Sequence, residues 1–178
     1  LPKLTSVMGP ILFSLYSSPL EDIIHSYGLG HIVYADDTQL YTVLHHSDLT
    51  SVIHKLESCL VDIKLWSSNN YLKINEEKTE FLHISSKFRS KNVIPSVLFD
   101  QTTLQPVKCA RNLGVLFDEK LTMVNHVNNI CRKASFGLYR IGKIRRFLDK
   151  ETTERLVHAC VLSQLDNCNR LLFWLPED

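Results

Sequence analysis

The segment Tyr34-Ala35-Asp36-Asp37 decides the interpretation of this sequence, because it sets two adjacent carboxylates between two stretches of strand-forming residues. Residues 31–33 before it and 38–44 after it are rich in β-branched, aromatic and other apolar side chains, which predicts two strands joined by a tight hairpin turn. Adjacent like charges repel, so the pair needs either a bound cation or a local turn role. Two interpretations stay open here: a turn whose Asp side chains bond nearby backbone amides, and a site for a metal ion.

Length and composition predict a small folded portion of a larger protein. With 178 residues, of which 44% are hydrophobic, the chain can bury a core in one or two folding units. No apolar run approaches the roughly 18 residues of a membrane span, so no membrane partner is expected. The start at Leu1 without an initiator Met favours a chain that begins inside a longer protein.

The five cysteines favour a reducing, intracellular environment. Their number is odd and they form no C-x-x-C pair, a pattern that fits poorly with a disulfide framework. A zinc site built from His158, Cys160 and Cys168 is an alternative, but this spacing does not match a structural zinc pattern.

Formal charge is distributed unevenly along the sequence, although its sum is only +1. Residues 1–80 carry 5 Lys or Arg against 10 Asp or Glu, whereas residues 81–178 carry 15 against 9. A dense basic block with no acid between its members consists of Arg132, Lys133, Arg140, Lys143, Arg145 and Arg146. Such a block is typical of a surface that binds phosphates, and its structural alternative is a solvated helix face.

Periodicity and turn residues predict the remaining elements. Helices are predicted over 10–20, from a cap at Ser47 or Asp48 to about 66, over 124–144, and from a cap at Asp149 over 150–165. Strands are predicted at 71–74, 80–84 and 113–117, with a hairpin or insertion over 87–105. The second helix carries an apolar stripe that ends at Trp66, which we interpret as packing against the strands that hold the Asp pair.

Five segments in a fixed order resemble the reverse transcriptases of LINE-type (jockey-like, non-LTR) retrotransposons. The segments are SVMGPILFSLY at 6–16, YADD at 34–37, LKINEEKTEF at 72–81, RNLGVLFD at 111–118 and SQLDNCN at 163–169. The resemblance implies an α+β fold, with a partial polymerase palm at 1–120, in which helices back an antiparallel sheet, and a helical thumb-like region at 121–178. It also implies RNA-directed DNA synthesis by two-metal nucleotidyl transfer, with Mg²⁺, an RNA template, a DNA primer and deoxynucleoside triphosphates, in the nucleus and cytoplasm.

The resemblance assigns roles to individual residues. Asp36 and Asp37 match the catalytic carboxylates that bind the metal ions, and Lys78 matches a lysine that can protonate the leaving pyrophosphate. The alternative for Lys78 is an exposed charge paired with Glu76 or Glu77. The implied nucleotide-binding residues are Gly9, Pro10, Tyr34 and Ala35. The implied primer and nucleic-acid contacts are Arg111 and Gly114 together with the six residues of the basic block.

Two departures from the family pattern shape the functional expectation. The family's Pro-Gln-Gly before the first segment is replaced here by Pro2-Lys3-Leu4-Thr5, which lacks the glycine that permits close backbone approach to a nucleotide. The family's remaining metal-binding Asp belongs to a strand upstream of Leu1, and nothing in residues 1–30 replaces it. We therefore expect a polymerase fragment that needs the missing upstream part and is inactive alone; the alternative is a decayed or domesticated remnant that binds nucleic acid without catalysis.

Overall fold

The computed structural model describes residues 8–44, 48–85, 96–166 and 168–172. The chain forms two compact units, here called the first unit (Leu1–Phe81 with Val93–Gln105) and the second unit (Leu82–Asn92 with Pro106–Asp178). The predicted departure at 2–5, the Ser47 cap and the segment 87–95 lie outside the described residues. None of the described helices is both long and apolar enough to cross a membrane.

The first unit is built around one central helix. Its elements are α1 (Met8–Ser26), β1 (Gly30–Tyr34), β2 (Asp37–Tyr41), α2 (Leu49–Asn69), a 3-10 turn (Glu76–Lys78), β3 (Phe81–Leu82, which runs into the second unit), β4 (Val97–Phe99) and β5 (Thr102–Leu104). One side of α2 buries Cys59 and Ile63 against Ile24 of α1. Another buries Ile53 and Leu60 against the β4–β5 hairpin. The predicted apolar stripe of α2 is therefore confirmed as packing, but its buried partners lie on α1 and the β4–β5 hairpin; from the strands that hold the Asp pair, Leu40 is partly buried beside it.

The second unit combines a hairpin with helices. Its elements are β6 (Pro106–Val107), β7 (Cys109–Asn112), β8 (Val115–Asp118), α3 (Val124–Ile144), a 3-10 turn (Arg145–Phe147), α4 (Lys150–Val157), a π-helical turn (His158–Leu162), α5 (Ser163–Asp166) and a 3-10 turn (Asn169–Leu172). Ala134 and Ile141 of α3 pack against Val161. A Cβ built on Gly137 would lie 3.0 Å from the carbonyl oxygen of Cys160, so this glycine permits the close approach of α3 to the π-helical turn.

Buried polar groups join the hairpin of the second unit to α3. Asp118 accepts hydrogen bonds from the backbone amides of Lys120 and Thr122, both at 3.0 Å, and of Met123 at 2.8 Å, and also from the Thr122 hydroxyl. Burial raises the pKa of this carboxyl, but the hydrogen bonds together lower it by more than burial raises it. The pKa therefore lies below its ordinary value. Nδ1 of the buried His126 accepts from the Leu116 amide at 3.3 Å, which fixes the start of α3 on β8.

Several predicted elements are confirmed, and others need correction. The bounds of α3 match the prediction, and Asp149 caps α4 as predicted. The helix predicted over 10–20 continues through Pro19 to Ser26, because the extra turns bury Leu20 and Ile24 and so offset the hydrogen bond that proline cannot donate. Residues 71–74 are not a strand. Tyr71 has a left-handed φ of +57°, which no strand contains.

The mixed helix and strand composition is confirmed, whereas the single antiparallel sheet is not found among the described residues. The β1–β2, β4–β5 and β7–β8 ladders each contain two strands. Each joins neighbours in sequence, since a short turn closes a hairpin at little cost in chain entropy. The β7–β8 hairpin belongs to the unit that contains the later helices, although the sequence suggested grouping it with residues 1–120. The palm and thumb labels stay predictions.

The Asp149 cap leads to a prediction about stability. Its carboxylate accepts a 2.7 Å hydrogen bond from the Thr152 amide, and this bond lowers the pKa of Asp149. We expect Asp149→Ala to lower the urea midpoint of unfolding, since one amide of the first turn loses its partner. Asp149→Asn is the matched control, because Asn caps as well as Asp does. Urea unfolding followed by circular dichroism measures both, and equal losses in the two variants would contradict the cap role.

Candidate active site and basic helix

The Asp pair lies at the tip of the β1–β2 hairpin. Tyr34 pairs with Asp37 across the ladder, so Ala35 and Asp36 form the two-residue turn. Ala35 has a φ of +54°, in the left-handed region where turns normally place glycine. This conformation costs a non-glycine residue roughly 1 kcal/mol or more. The predicted hairpin is confirmed, and the strained residue of its turn, Ala35, directly precedes Asp36.

Both carboxylates of the pair are exposed to solvent. Within the described ranges, the side-chain carboxylate of neither Asp36 nor Asp37 accepts a hydrogen bond or forms an ion pair. The local turn role, in which Asp bonds nearby backbone amides, is therefore not found here. The two carboxylates remain available to a ligand that approaches the tip.

The two carboxylates have the chemistry of ligands for a shared Mg²⁺ ion. Mg²⁺ in phosphate-processing sites takes one or two carboxylates from the protein and completes its six oxygens with substrate phosphates and water. Asp36 and Asp37 supply hard oxygen donors of this kind. The described part of the chain contains no group of three or more His, Cys, Asp or Glu side chains that could hold a metal.

Lys78 ends the exposed 3-10 turn Glu76–Lys78. The sequence left open an exposed Lys78 paired with Glu76 or Glu77. Lys78 is exposed, but among the described residues it forms no ion pair with either glutamate. Glu76 instead accepts from Lys64 at 2.6 Å and from the Thr102 hydroxyl at 3.2 Å. No described contact joins Lys78 to the Asp pair, so its role in protonating pyrophosphate stays a prediction.

Sequence reasoning missed the polar group centred on Lys64. This ammonium group on α2 donates to Asp100 in the β4–β5 turn as well as to Glu76. Hydrogen bonds to Asp100 and then Glu76 raise the pKa of Lys64, and the same contact lowers the pKa of Asp100. The group ties a helix to segments more than ten residues away in sequence. No local pattern signals such a contact.

The four predicted nucleotide-binding residues lie in two places within the first unit. Gly9 and Pro10 are in the first described turn of α1, where Pro10 is exposed. Tyr34 ends β1 with 63% of its surface exposed, and Ala35 follows it in the turn. Helix α1 packs against β1, and the two are also linked by Glu21 and His31 at 3.8 Å. The nucleotide-binding roles stay predictions.

The predicted primer-contacting residues lie on the β7–β8 hairpin. Asn112 pairs with Val115, which leaves Leu113 and Gly114 as the two-residue turn. Both turn residues have positive φ, +45° for Leu113 and +89° for Gly114, as a type I′ turn requires. Gly114 is therefore needed for its backbone conformation, and Arg111 is exposed on β7.

The predicted basic block is exposed along α3 and the 3-10 turn after it, at Arg132, Lys133, Arg140, Lys143, Arg145 and Arg146. Arg145 also donates to the Leu148 carbonyl at 2.9 Å, so it supports the turn locally. Sequence reasoning missed the rings beside this block. Arg140 lies 5.8 Å from the Phe136 ring centroid and Lys143 5.2 Å from that of Tyr139. Their i, i+4 spacing is the sequence signal that could have revealed these pairs.

Comparison with known proteins shows a family match that includes the β1–β2 hairpin. Residues 6–117 match the family described as "Reverse transcriptase (RNA-dependent DNA polymerase)". The chain belongs to the reverse transcriptase family. The matched segment contains the Asp36-Asp37 pair, Lys78 and the β7–β8 turn, and it ends before α3.

Two proteins of mobile elements that are similar to this chain agree with that assignment. The chain is 26% identical over 136 residues to "RNA-directed DNA polymerase from mobile element jockey" of Drosophila melanogaster, across 70% of this chain and 14% of the relative. It is 24% identical over 149 residues to "Retrovirus-related Pol polyprotein from type-1 retrotransposable element R1" of Nasonia vitripennis, across 82% of this chain and 43% of the relative. The chain thus spans less than half of either relative. No solved structure matches it.

Proposed function

We propose that this chain contributes the Asp36-Asp37 half of a reverse transcriptase active site, which extends a DNA primer on an RNA template. One observation carries the proposal: two exposed carboxylates without local partners lie at a strained hairpin tip, inside the segment that matches the family. Exposure leaves the charges free for a triphosphate-bound cation, and the tight turn keeps them at one point.

The proposed roles of individual residues follow from their places in the first unit. Asp36 and Asp37 would hold Mg²⁺, which when bound supplies activation of the primer hydroxyl and charge neutralisation on the departing pyrophosphate. Ala35 has a small side chain and leaves room for the last primer base beside the exposed ring of Tyr34. Lys78, exposed on its 3-10 turn, would donate a proton to the leaving pyrophosphate.

The isolated chain is proposed to be inactive. The described residues offer two adjacent carboxylates and no larger ligand group, so metal held by this chain alone would be weakly bound and poorly positioned. The relatives are also more than twice as long as their matched regions. Further ligands and template contacts would come from the remainder of a longer polymerase.

Primer extension tests the proposal. The longest natural protein that contains this chain is incubated with Mg²⁺, deoxynucleoside triphosphates and a DNA primer annealed to RNA. We expect product whose sequence complements the RNA, and no product when the template is omitted. A longer protein that binds the primer and template but adds no nucleotide would contradict the catalytic proposal.

A second candidate function is nucleic-acid binding without catalysis, and α3 favours it because Val124–Ile144 contains no acidic residue. Under this candidate, salt-sensitive binding persists in Asp36→Asn. Neutralising Arg140 and Lys143 to Gln lowers the slope of log affinity against log salt by roughly 2 for duplex DNA. These two residues are preferred to Arg145, whose contact with Leu148 supports the fold. An unchanged salt slope would contradict binding through α3.

A further inference from the structure

Helix α3 exposes aromatic rings on the side opposite its packing face. Its buried residues Ile130, Ala134 and Ile141 recur at intervals of four and seven, so they share one face. Arg132, Phe136, Tyr139 and Lys143 recur at intervals of four and three on the other face, and Arg140 lies beside them. These five residues, all exposed, are here called the aromatic-basic stripe.

The aromatic residues of the stripe, and one in the turn after it, are mostly exposed to solvent. Phe136 has 60% of its surface exposed and Tyr139 has 61%, and in the following turn Phe147 has 73%. Exposed apolar surface that is rimmed by polar residues is typical of interaction sites. Each ring also has a cation close to it, since Arg146 lies 4.7 Å from the Phe147 centroid in the same way as Arg140 and Lys143 lie near their rings.

The charge of the stripe identifies the chemistry of its partner. No acid occurs from residue 119 to 149 other than Glu119 and Asp149 at the two ends, so this surface attracts an anionic partner. Cations bind a phosphate backbone, and aromatic rings offer faces on which bases stack. A duplex keeps its bases inside its own stack, so its bases could not use these rings. An unpaired strand presents both phosphates and base faces.

We propose that the aromatic-basic stripe binds an unpaired nucleic-acid strand, with phosphates on Arg132, Arg140 and Lys143 and bases stacked on Phe136 and Tyr139. The proposal deepens the nucleic-acid-binding part of the proposed function and does not depend on catalysis. In a polymerase, such a surface would hold template that is not yet copied or RNA outside the primer duplex.

Binding of labelled strands to the full chain tests the stripe, in buffer without Mg²⁺ or nucleotides. The probes are oligo(dT), oligo(U), a strand of abasic residues and a blunt DNA duplex, each of about 12 nucleotides or base pairs. We expect the double variant Phe136→Leu with Tyr139→Leu to weaken oligo(dT) and oligo(U) binding by about tenfold or more, because base stacking on aromatic rings is lost. Duplex and abasic-strand binding should not change.

The matched control is Tyr71→Leu, which removes a ring that is 98% exposed in the first unit. It should bind all four probes as the unsubstituted chain does. Equal affinity of the double variant and the unsubstituted chain for both oligo(dT) and oligo(U) would overturn the proposal, as would equal affinity of the unsubstituted chain for abasic and base-containing strands. A loss confined to oligo(U) would restrict the stripe to RNA. Primer extension is measured separately. If the protein extends primers but the strand-binding results contradict the stripe, only the strand-binding proposal is refuted.

Discussion

Asp36→Asn is expected to lower templated primer extension by about a thousandfold or more in the longest natural protein that contains this chain. The substitution keeps the size of the side chain but removes the charge that makes it a hard ligand for Mg²⁺. Loss of metal-based charge stabilisation is worth several kcal/mol in the transition state, and about 4 kcal/mol corresponds to a thousandfold. Because Asp36 is exposed and has no hydrogen-bond partner among the described residues, folding should not suffer.

The control for this experiment is Asp22→Asn, which makes the same chemical change at an exposed position of α1. Asp22→Asn should retain extension, and both variants should show the same circular dichroism spectrum as the unsubstituted protein. Asp37→Asn should also lose activity, by a smaller factor if its coordination is less direct. Extension that survives Asp36→Asn would remove the metal role assigned to that residue.

The candidate site was predictable where its determinants are local. A hairpin turn of two residues between strand-forming stretches is specified by its own sequence, and β1–β2 forms as predicted. The same holds for α3 and for the Asp149 cap, whose signals lie within one or two helical turns. The exposed positions of the Asp pair follow from the hairpin. The absence of local hydrogen bonds to it, within the described residues, required the structure.

The features that sequence reasoning missed depend on contacts between distant segments. Helix α1 continues beyond Leu20 to Ser26 because Ile24 is buried against α2, which local propensity does not report. Lys64 joins Glu76 and Asp100 across an interval that contains several elements. Phe136 and Tyr139 were overlooked for a different reason. Helical spacing already places both rings opposite the packing face, but sequence reasoning considered only the charges there, and the exposure of the rings required the structure.

Asp118→Ala is expected to lower the free energy of unfolding by about 3 kcal/mol. The buried carboxylate accepts three backbone amides and one hydroxyl, and hydrogen bonds to a charged group are each worth more than neutral ones. Its removal leaves the Met123 amide without its partner at the start of α3. Urea unfolding of the full chain, followed by circular dichroism, measures the loss. Glu119→Ala, one residue later, is the control and should cost much less.

The pH dependence separates the charge of Asp118 from its shape. Hydrogen bonds hold the pKa of the folded carboxyl below its ordinary value despite the opposing effect of burial, so the unfolded state binds a proton more readily. The stabilisation is therefore fully present above the unfolded pKa of about 3.9 and is lost as pH falls through the lower folded pKa. Asp118→Asn cannot titrate, so the difference in stability between it and the unsubstituted chain should shrink as pH falls from about 5. A difference that stays constant over this range would show that the carboxylate charge does not stabilise the junction.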